Sequence, residues 1–240
     1  MPNTYDVAGK NAIVTGAAKG IGRAIAELLL ANSCDVTIWD ASPSDVSGAT
    51  SIQVDITQPS QIAAAVGQLP ADRRIDILVN DAGYLGRTTT FVAHAPMDWR
   101  RILEVNLLGT MQVTQAVLPI MIRQAGGRIV NLGSLAGKVG LAGITAYSAA
   151  SAGVIAFTKA LSREVAQHNV FVNCVAPGPI DTAMIQDLGA EVVSRMIGDS
   201  PMGRLGKACE VAHLVAWLCT EASRFNTGAV FDMSGGRARY

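Results

Sequence analysis

Short runs rich in β-branched residues recur along this chain, separated by longer stretches whose apolar residues fall at helical spacing. The short runs cover 11–15, 35–40, 51–56, 75–80, 127–134, 170–177 and 229–236. Between them, 21–32 places Ile21, Ile25, Leu28 and Leu29 on one helical face, and 61–69, 97–124, 146–167 and 208–220 also read as helices. Strands that alternate with helices pair in parallel, because each helix carries the chain back across the sheet in a right-handed crossover. The expectation is an α/β fold, doubly wound, with about seven parallel strands and helices on both faces. Half of the residues are apolar and 16% are charged, enough for a large core. No repeat, linker or low-complexity stretch divides the sequence, so 1–240 reads as a single domain. Around 97–124, Asp98 is placed to cap the helix, Gly126 to stop it and Pro119 to bend it.

Sheets of this kind bind ligands outside the carboxyl ends of their strands. Directly after the first strand stands TGAAKGIG, with Gly16, Gly20 and Gly22 spaced GxxxGxG. Glycine lets a tight turn form and lets the backbone approach phosphates at the positive end of the next helix. That placement points to a dinucleotide. Asp40 closes the second strand, where a carboxylate accepts from both ribose hydroxyls and repels a 2′-phosphate. NAD(H) is therefore expected over NADP(H), with Lys19 and Arg23 as the cations that would argue the other way. Asp55 and Ile56, at the end of the third strand, are placed for adenine. NDAG (80–83) follows the fourth, with small residues that admit a ligand. Ser134 ends the fifth. Tyr147 then precedes Ser151 by four residues in a helical run, which puts both side chains on one face.

Lysine plus arginine equals aspartate plus glutamate at 19 each, so no bulk field for nucleic acid is expected. Cys34, Cys174, Cys209 and Cys219 form no CxxC pair, and His94, His168 and His213 lie far apart, so no metal site is expected. The first ten residues hold no apolar signal segment, and no uncharged apolar run reaches about 18 residues free of glycines and polar breaks. The expectation is a cytoplasmic protein with no membrane span that acts on a small molecule.

In order along the chain, TGAAKGIG, VDI, NDAG, EVNLLGT, GRIVNLGS, AYSAAS, NCVAPGPIDT and the late SGG make the sequence resemble the short-chain dehydrogenase/reductases over nearly its whole length. The portion from 203 onward is most similar to the bacterial branch of 3-oxoacyl-carrier-protein reductases and sugar, polyol and hydroxyacid dehydrogenases. The resemblance implies a Rossmann-type fold and hydride transfer between a nicotinamide cofactor and a secondary alcohol or carbonyl. It also implies roles for matched positions. Gly16, Gly20, Ile21 and Gly22 would hold the pyrophosphate, Asp40 would select NAD, and Asp55 with Ile56 would meet adenine. Asn80, Ala82 and Gly83 would line the cofactor, and Pro177, Gly178, Ile180 and Thr182 would hold the nicotinamide. Tyr147 would be the general acid or base, Ser134 would bind the same substrate oxygen, and Asn106 would anchor a water of a proton relay. Segment 183–206 would be the substrate lid, and the two long helices the interface of a homo-oligomer, a dimer or tetramer.

Two positions depart from the family. Where it has a second asparagine before AG, this chain has Asp81, which lacks an amide donor for a strand-bridging contact. Where it has a lysine four residues after the tyrosine, this chain has Ser151. The family lysine holds the nicotinamide ribose, and its charge favours tyrosinate. A serine hydroxyl can do part of the first job and none of the second. Lys159 lies about 12 Å further along the helix, and Lys138, in the loop after Ser134, could fold toward the site, but a flexible lysine there is expected to stay in water. Three readings stay open: an enzyme weakened at one residue, a dinucleotide-binding protein without turnover, and an enzyme whose relay uses Ser151 and water.

Overall fold

The computed structural model describes residues 4–70 and 74–239, so 1–3, 71–73 and 240 of the expected domain lie outside the described residues. The chain runs β1 (Asn11–Thr15), α1 (Gly20–Ala31), β2 (Asp35–Asp40), β3 (Thr50–Gln53), α2 (Pro59–Gly67), β4 (Ile77–Asn80), α3 (Pro96–Leu103), α4 (Thr110–Arg123), β5 (Gly127–Leu132), α5 (Leu135–Val139) and α6 (Thr145–Val165). It continues through β6 (Val170–Pro177), β7 (Ile180–Asp181), α7 (Ala183–Gln186), α8 (Ala190–Gly198), β8 (Gly206–Lys207), α9 (Ala208–Leu218) and β9 (Val230–Met233). Seven strands pair in the order β3-β2-β1-β4-β5-β6-β9, all parallel, and β7 pairs with β8 in a separate two-stranded ribbon. The order reverses between β1 and β4, which opens a crevice at the carboxyl edge. The doubly wound expectation holds.

Strand alternation divides the core in two. Along β1, Ala12 and Val14 join Ile25 and Leu29 of α1 and Val211 and Val215 of α9. Ile13 points the other way, to Ile62 of α2, Val113, Val117 and Met121 of α4, and Leu161 of α6. Side chains successive on a strand face opposite sides, so one strand feeds both layers.

The expected boundaries shift where side chains take over from the ladder. The third strand ends at Gln53, because the Asp55 carboxylate accepts from the Thr57 backbone N–H at 2.9 Å and hydroxyl at 2.7 Å and turns the chain. The fifth ends at Leu132, and Ser134 caps the unforeseen α5 by accepting from Ala136 N–H at 3.1 Å. The expected helix 97–124 is broken in habit at Glu104–Gly109, a π-helical segment, whereas α4 runs through Pro119. A Cβ on Gly109 would stand 2.6 Å from the Ile56 side chain, so glycine lets this irregular turn lie against β3 and its loop. By length and composition alone Pro96–Arg123 could cross a membrane, although glycine and polar residues interrupt its uncharged run. In the fold its Ile102, Val113, Val117 and Met121 are buried against other elements of the protein.

Candidate active site

The β1–α1 turn depends on glycine at two points. Gly16 has φ +70, and a Cβ there would stand 2.5 Å from the Ala82 Cα. A Cβ on Gly22 would lie 2.6 Å from the Gly16 carbonyl oxygen. The turn is therefore clamped between α1 and the loop after β4, with the positive end of α1 at its mouth. Both Asp81 and Ala82 donate their backbone N–H to Thr15 Oγ1, at 3.1 and 3.2 Å. These backbone bonds join β1 to the end of β4, while among the described residues the Asp81 carboxyl donates no strand-bridging contact and accepts from the Gly22 N–H.

A cavity of about 700 Å³ runs along the carboxyl edge of the sheet. Gly16, Lys19, Gly20, Ile21, Asp40, Asp55, Ile56, Ala82, Gly83, Asn106, Ser134, Tyr147, Ser151, Pro177, Gly178, Ile180 and Thr182 line it. Gly22 and Asn80 do not, although both were expected at the cofactor. Gly22 is buried in the first turn of α1. Asn80 shares the face of Leu78 and points into the layer, where Nδ2 donates to Thr114 Oγ1 at 3.0 Å and Asn131 Oδ1 at 2.8 Å. Asn131 Nδ2 donates in turn to Thr158 Oγ1 at 2.9 Å, which ties β4 and β5 to α4 and α6. This buried chain fixes the helix that carries Tyr147 against the sheet.

At the first end of the cavity, Asp40 accepts from the Ala18 N–H at 2.9 Å and the Ser42 N–H at 2.8 Å, which holds its carboxylate at the lip. Arg23 is engaged elsewhere, with Glu27 and Asp45, and does not line the cavity. Lys19 does. Between Asp40 and the far end sits Asp81. Burial holds its carboxyl well above the usual carboxylate range; a hydrogen bond from the Gly22 N–H opposes that, and the charge of Asp40 adds to it.

Tyr147, Ser134 and Ser151 meet at the other end. Burial raises the Tyr147 phenol above its ordinary pKa; a hydrogen bond from Ser134 lowers it, the charge of Asp81 raises it, and a hydrogen bond from Ser151 lowers it. Among the described residues, Lys19 is the one lysine that lines the cavity. Lys138 does not turn toward Tyr147; its ammonium pairs with Asp232 at 3.0 Å. Ser151 is buried, and α5 packs so closely there that a Cβ on Gly137 would stand 2.8 Å from the Ser151 Cβ. Both Asn106 amide protons are used: Nδ2 donates to the carbonyls of Tyr84 at 2.7 Å and Ile102 at 2.8 Å, and Oδ1 accepts from the Tyr84 N–H at 3.0 Å. Its side chain therefore fastens the loop after β4 to the π-helical segment.

Several cavity residues carry no signal in the sequence. Arg101, which lies over the Tyr84 ring at 5.7 Å, and Arg237 and Asp199 all line the far end. Nothing local marks them, since each is an ordinary polar residue until packing brings it to the crevice.

A parallel sheet wound from both sides, with glycines at the first crossover and three hydroxyls across the crevice, defines a Rossmann-type α/β protein with an oxidoreductase-like site. A family model described as short chain dehydrogenase matches residues 10–192, and the chain belongs to that oxidoreductase family. It is 36% identical over 242 residues to 2-dehydro-3-deoxy-L-rhamnonate dehydrogenase (NAD(+)) of Sphingomonas sp. (strain SKA58), covering 97% of each chain. It is 38% identical over 237 residues to 3-oxoacyl-acyl-carrier-protein reductase FabG of Escherichia coli (strain K12), covering 95% of this chain and 97% of that one. Among solved structures, Thermoplasma acidophilum aldohexose dehydrogenase superposes with a TM-score of 0.92 at 30% identity, covering 99% of this chain and 98% of that one.

Proposed function

We propose that the protein interconverts a secondary alcohol and a carbonyl, with NAD(H) as partner and Tyr147 as general acid or base. The observation that carries this is one cavity that holds the glycine turn and Asp40 at one end and the Ser134–Tyr147–Ser151 hydroxyls at the other. Bound NAD(H) would supply or accept the hydride. The backbone at Gly16, Gly20 and Ile21 and the N-terminus of α1 suit a pyrophosphate, with Gly22 closing the turn behind them. Asp40 suits a ribose diol, and Asp55 and Ile56 suit adenine. Ala82 and Gly83 form a floor, with Asn80 bracing it from inside the layer. Pro177, Gly178, Ile180 and Thr182 wall the nicotinamide end.

In reduction, Ser134 donates to the carbonyl oxygen and holds it beside the Tyr147 phenol, which releases its proton as charge develops. Because burial keeps the phenol protonated, it is ready as an acid and poor as a base. Ser151 hydrogen-bonds the phenolic oxygen and stands where a ribose contact is needed, without a positive charge. Asn106 keeps the loop at Tyr84 in place beside the π-helical segment that would hold a relay water. Segment 183–206, with α7 and α8, works as the lid of a one-domain enzyme. Buried thiols at Cys174 and Cys219, each pushed up to about 12 chiefly by desolvation, suit a reducing cytoplasm. The test is NADH oxidation with a panel of ketones. Turnover that disappears in Tyr147→Phe supports the reading; NADH binding with no turnover of any ketone would leave a dinucleotide-binding protein instead.

A further inference from the structure

We propose that the substrate carries a free carboxylate, which Arg195 and Arg237 bind at the lid end of the cavity; this rests on the alcohol–carbonyl reading above. Arg195 and Asp199 stand one turn apart at the end of α8, where the Asp199 N–H donates to the Arg195 carbonyl at 2.9 Å. Arg237 arrives from the segment after β9 and donates from Nη2 to Asp199 Oδ2 at 3.3 Å. All three line the cavity. The Arg237 side chain is only 14% exposed, so its charge is largely withdrawn from water.

That segment is held in place. A Cβ on Gly235 would stand 3.1 Å from Ser200 Oγ, one on Gly236 would stand 3.1 Å from Pro201 Cγ, and the Ala238 N–H donates to Ser234 Oγ at 3.0 Å. The Asp199 pairing fixes the direction of the guanidinium before any ligand arrives. Asp199 is 59% exposed, so it offsets only part of the charge. Glu191 pairs with Arg195 at 3.4 Å, but both side chains are largely in water and the pair is weak.

Charge along the cavity is uneven. Its cofactor end holds Asp40 and Asp55 against Lys19, whereas its lid end holds Arg195 and Arg237 against Asp199. The wall between is apolar, with Leu141, Met184, Leu188 and Met196. Such a wall makes a partly desolvated cation costly unless an anion meets it. Planar guanidinium forks match a carboxylate in two parallel hydrogen bonds. The fitting class is an oxo acid, or the hydroxy acid it forms, with the carboxylate separated from the reacting carbon by an apolar spacer.

The test is calorimetric titration of the NADH-loaded protein with acetoacetate and levulinate, each against its methyl ester. We expect the acid to bind about tenfold or more tighter than the ester. That preference should vanish in Arg237→Gln combined with Arg195→Gln and persist in part in Arg237→Lys. Unchanged NADH affinity and melting temperature would show that these variants fold. Equal binding of acid and ester by the unaltered protein, or a preference that survives the double substitution, would overturn the proposal. Tighter binding of a phosphonate analogue than of either acid would do the same. If ester and acid are reduced equally well, the carboxylate site fails and the reaction stands. If neither is reduced, the reaction is in doubt while the binding preference still decides the site.

Discussion

Replacing Ser151 with lysine restores a cation one helical turn from Tyr147. An amine about 4.5 Å from the phenolic oxygen, at an effective dielectric of about 20, favours phenolate by roughly 3 to 4 kcal/mol. At about 1.4 kcal/mol for each tenfold, the phenolate population rises by about two to three orders of magnitude. Water in the cavity reduces the gain, so oxidation of a secondary alcohol near neutral pH should rise about tenfold to a thousandfold. The sign follows from the site. Burial and the Asp81 charge hold the Tyr147 phenol above its ordinary pKa, so the base form is scarce and the oxidation rate of the unaltered protein climbs with pH into the alkaline range. In Ser151→Lys the climb should level off at lower pH. The substitution fits, since Ser151 lines the cavity and lysine is a good helix former, although Gly137 leaves no room on the α5 side. The assay is the initial rate of NADH formation from a confirmed alcohol substrate across a pH series. Tyr147→Phe in the lysine background should remove the gain, and NADH affinity should move far less than the rate. An unchanged or lower rate, with the same pH profile, would refute the argument and make Ser151 part of a working relay.

Fluorescence titration should show tighter binding of NADH than of NADPH, because Asp40 is fixed at the cavity lip and Arg23 is occupied by Glu27 and Asp45; equal or tighter NADPH binding would make Lys19 the dominant contact. Asn131→Ala breaks the buried chain between Asn80 and Thr158 and should cost about 2 to 3 kcal/mol, seen as a melting temperature lower by roughly 4 to 12 °C. Light scattering should give a mass above the 25.0 kDa of one chain. Met111→Glu should lower that mass, since Leu108 and Met111 are exposed on the expected interface helix.

Much of the edge chemistry was legible because parallel strands deliver their carboxyl ends to one side. Glycines after β1, Asp40 after β2 and the Tyr147–Ser151 spacing could therefore be gathered without coordinates. Asn80 was misplaced although its direction was readable: Leu78 faces the α2–α4–α6 layer, and a period of two sends Asn80 the same way. The π-helical turn at Asn106 had no such signal, because its glycine is needed only once Ile56 lies beneath it. Periodicity and glycine spacing act over a few residues, so the alternation of strands and helices, the glycine turn and the hydroxyl pair on α6 were settled by local sequence, whereas the strand order was settled by packing. The meeting of Arg237 with Asp199, the turning of Lys138 to Asp232 and the burial of Asp81 were settled by packing. Each joins segments remote in the chain, and desolvation acts on a carboxyl or a guanidinium only after neighbours have displaced its water.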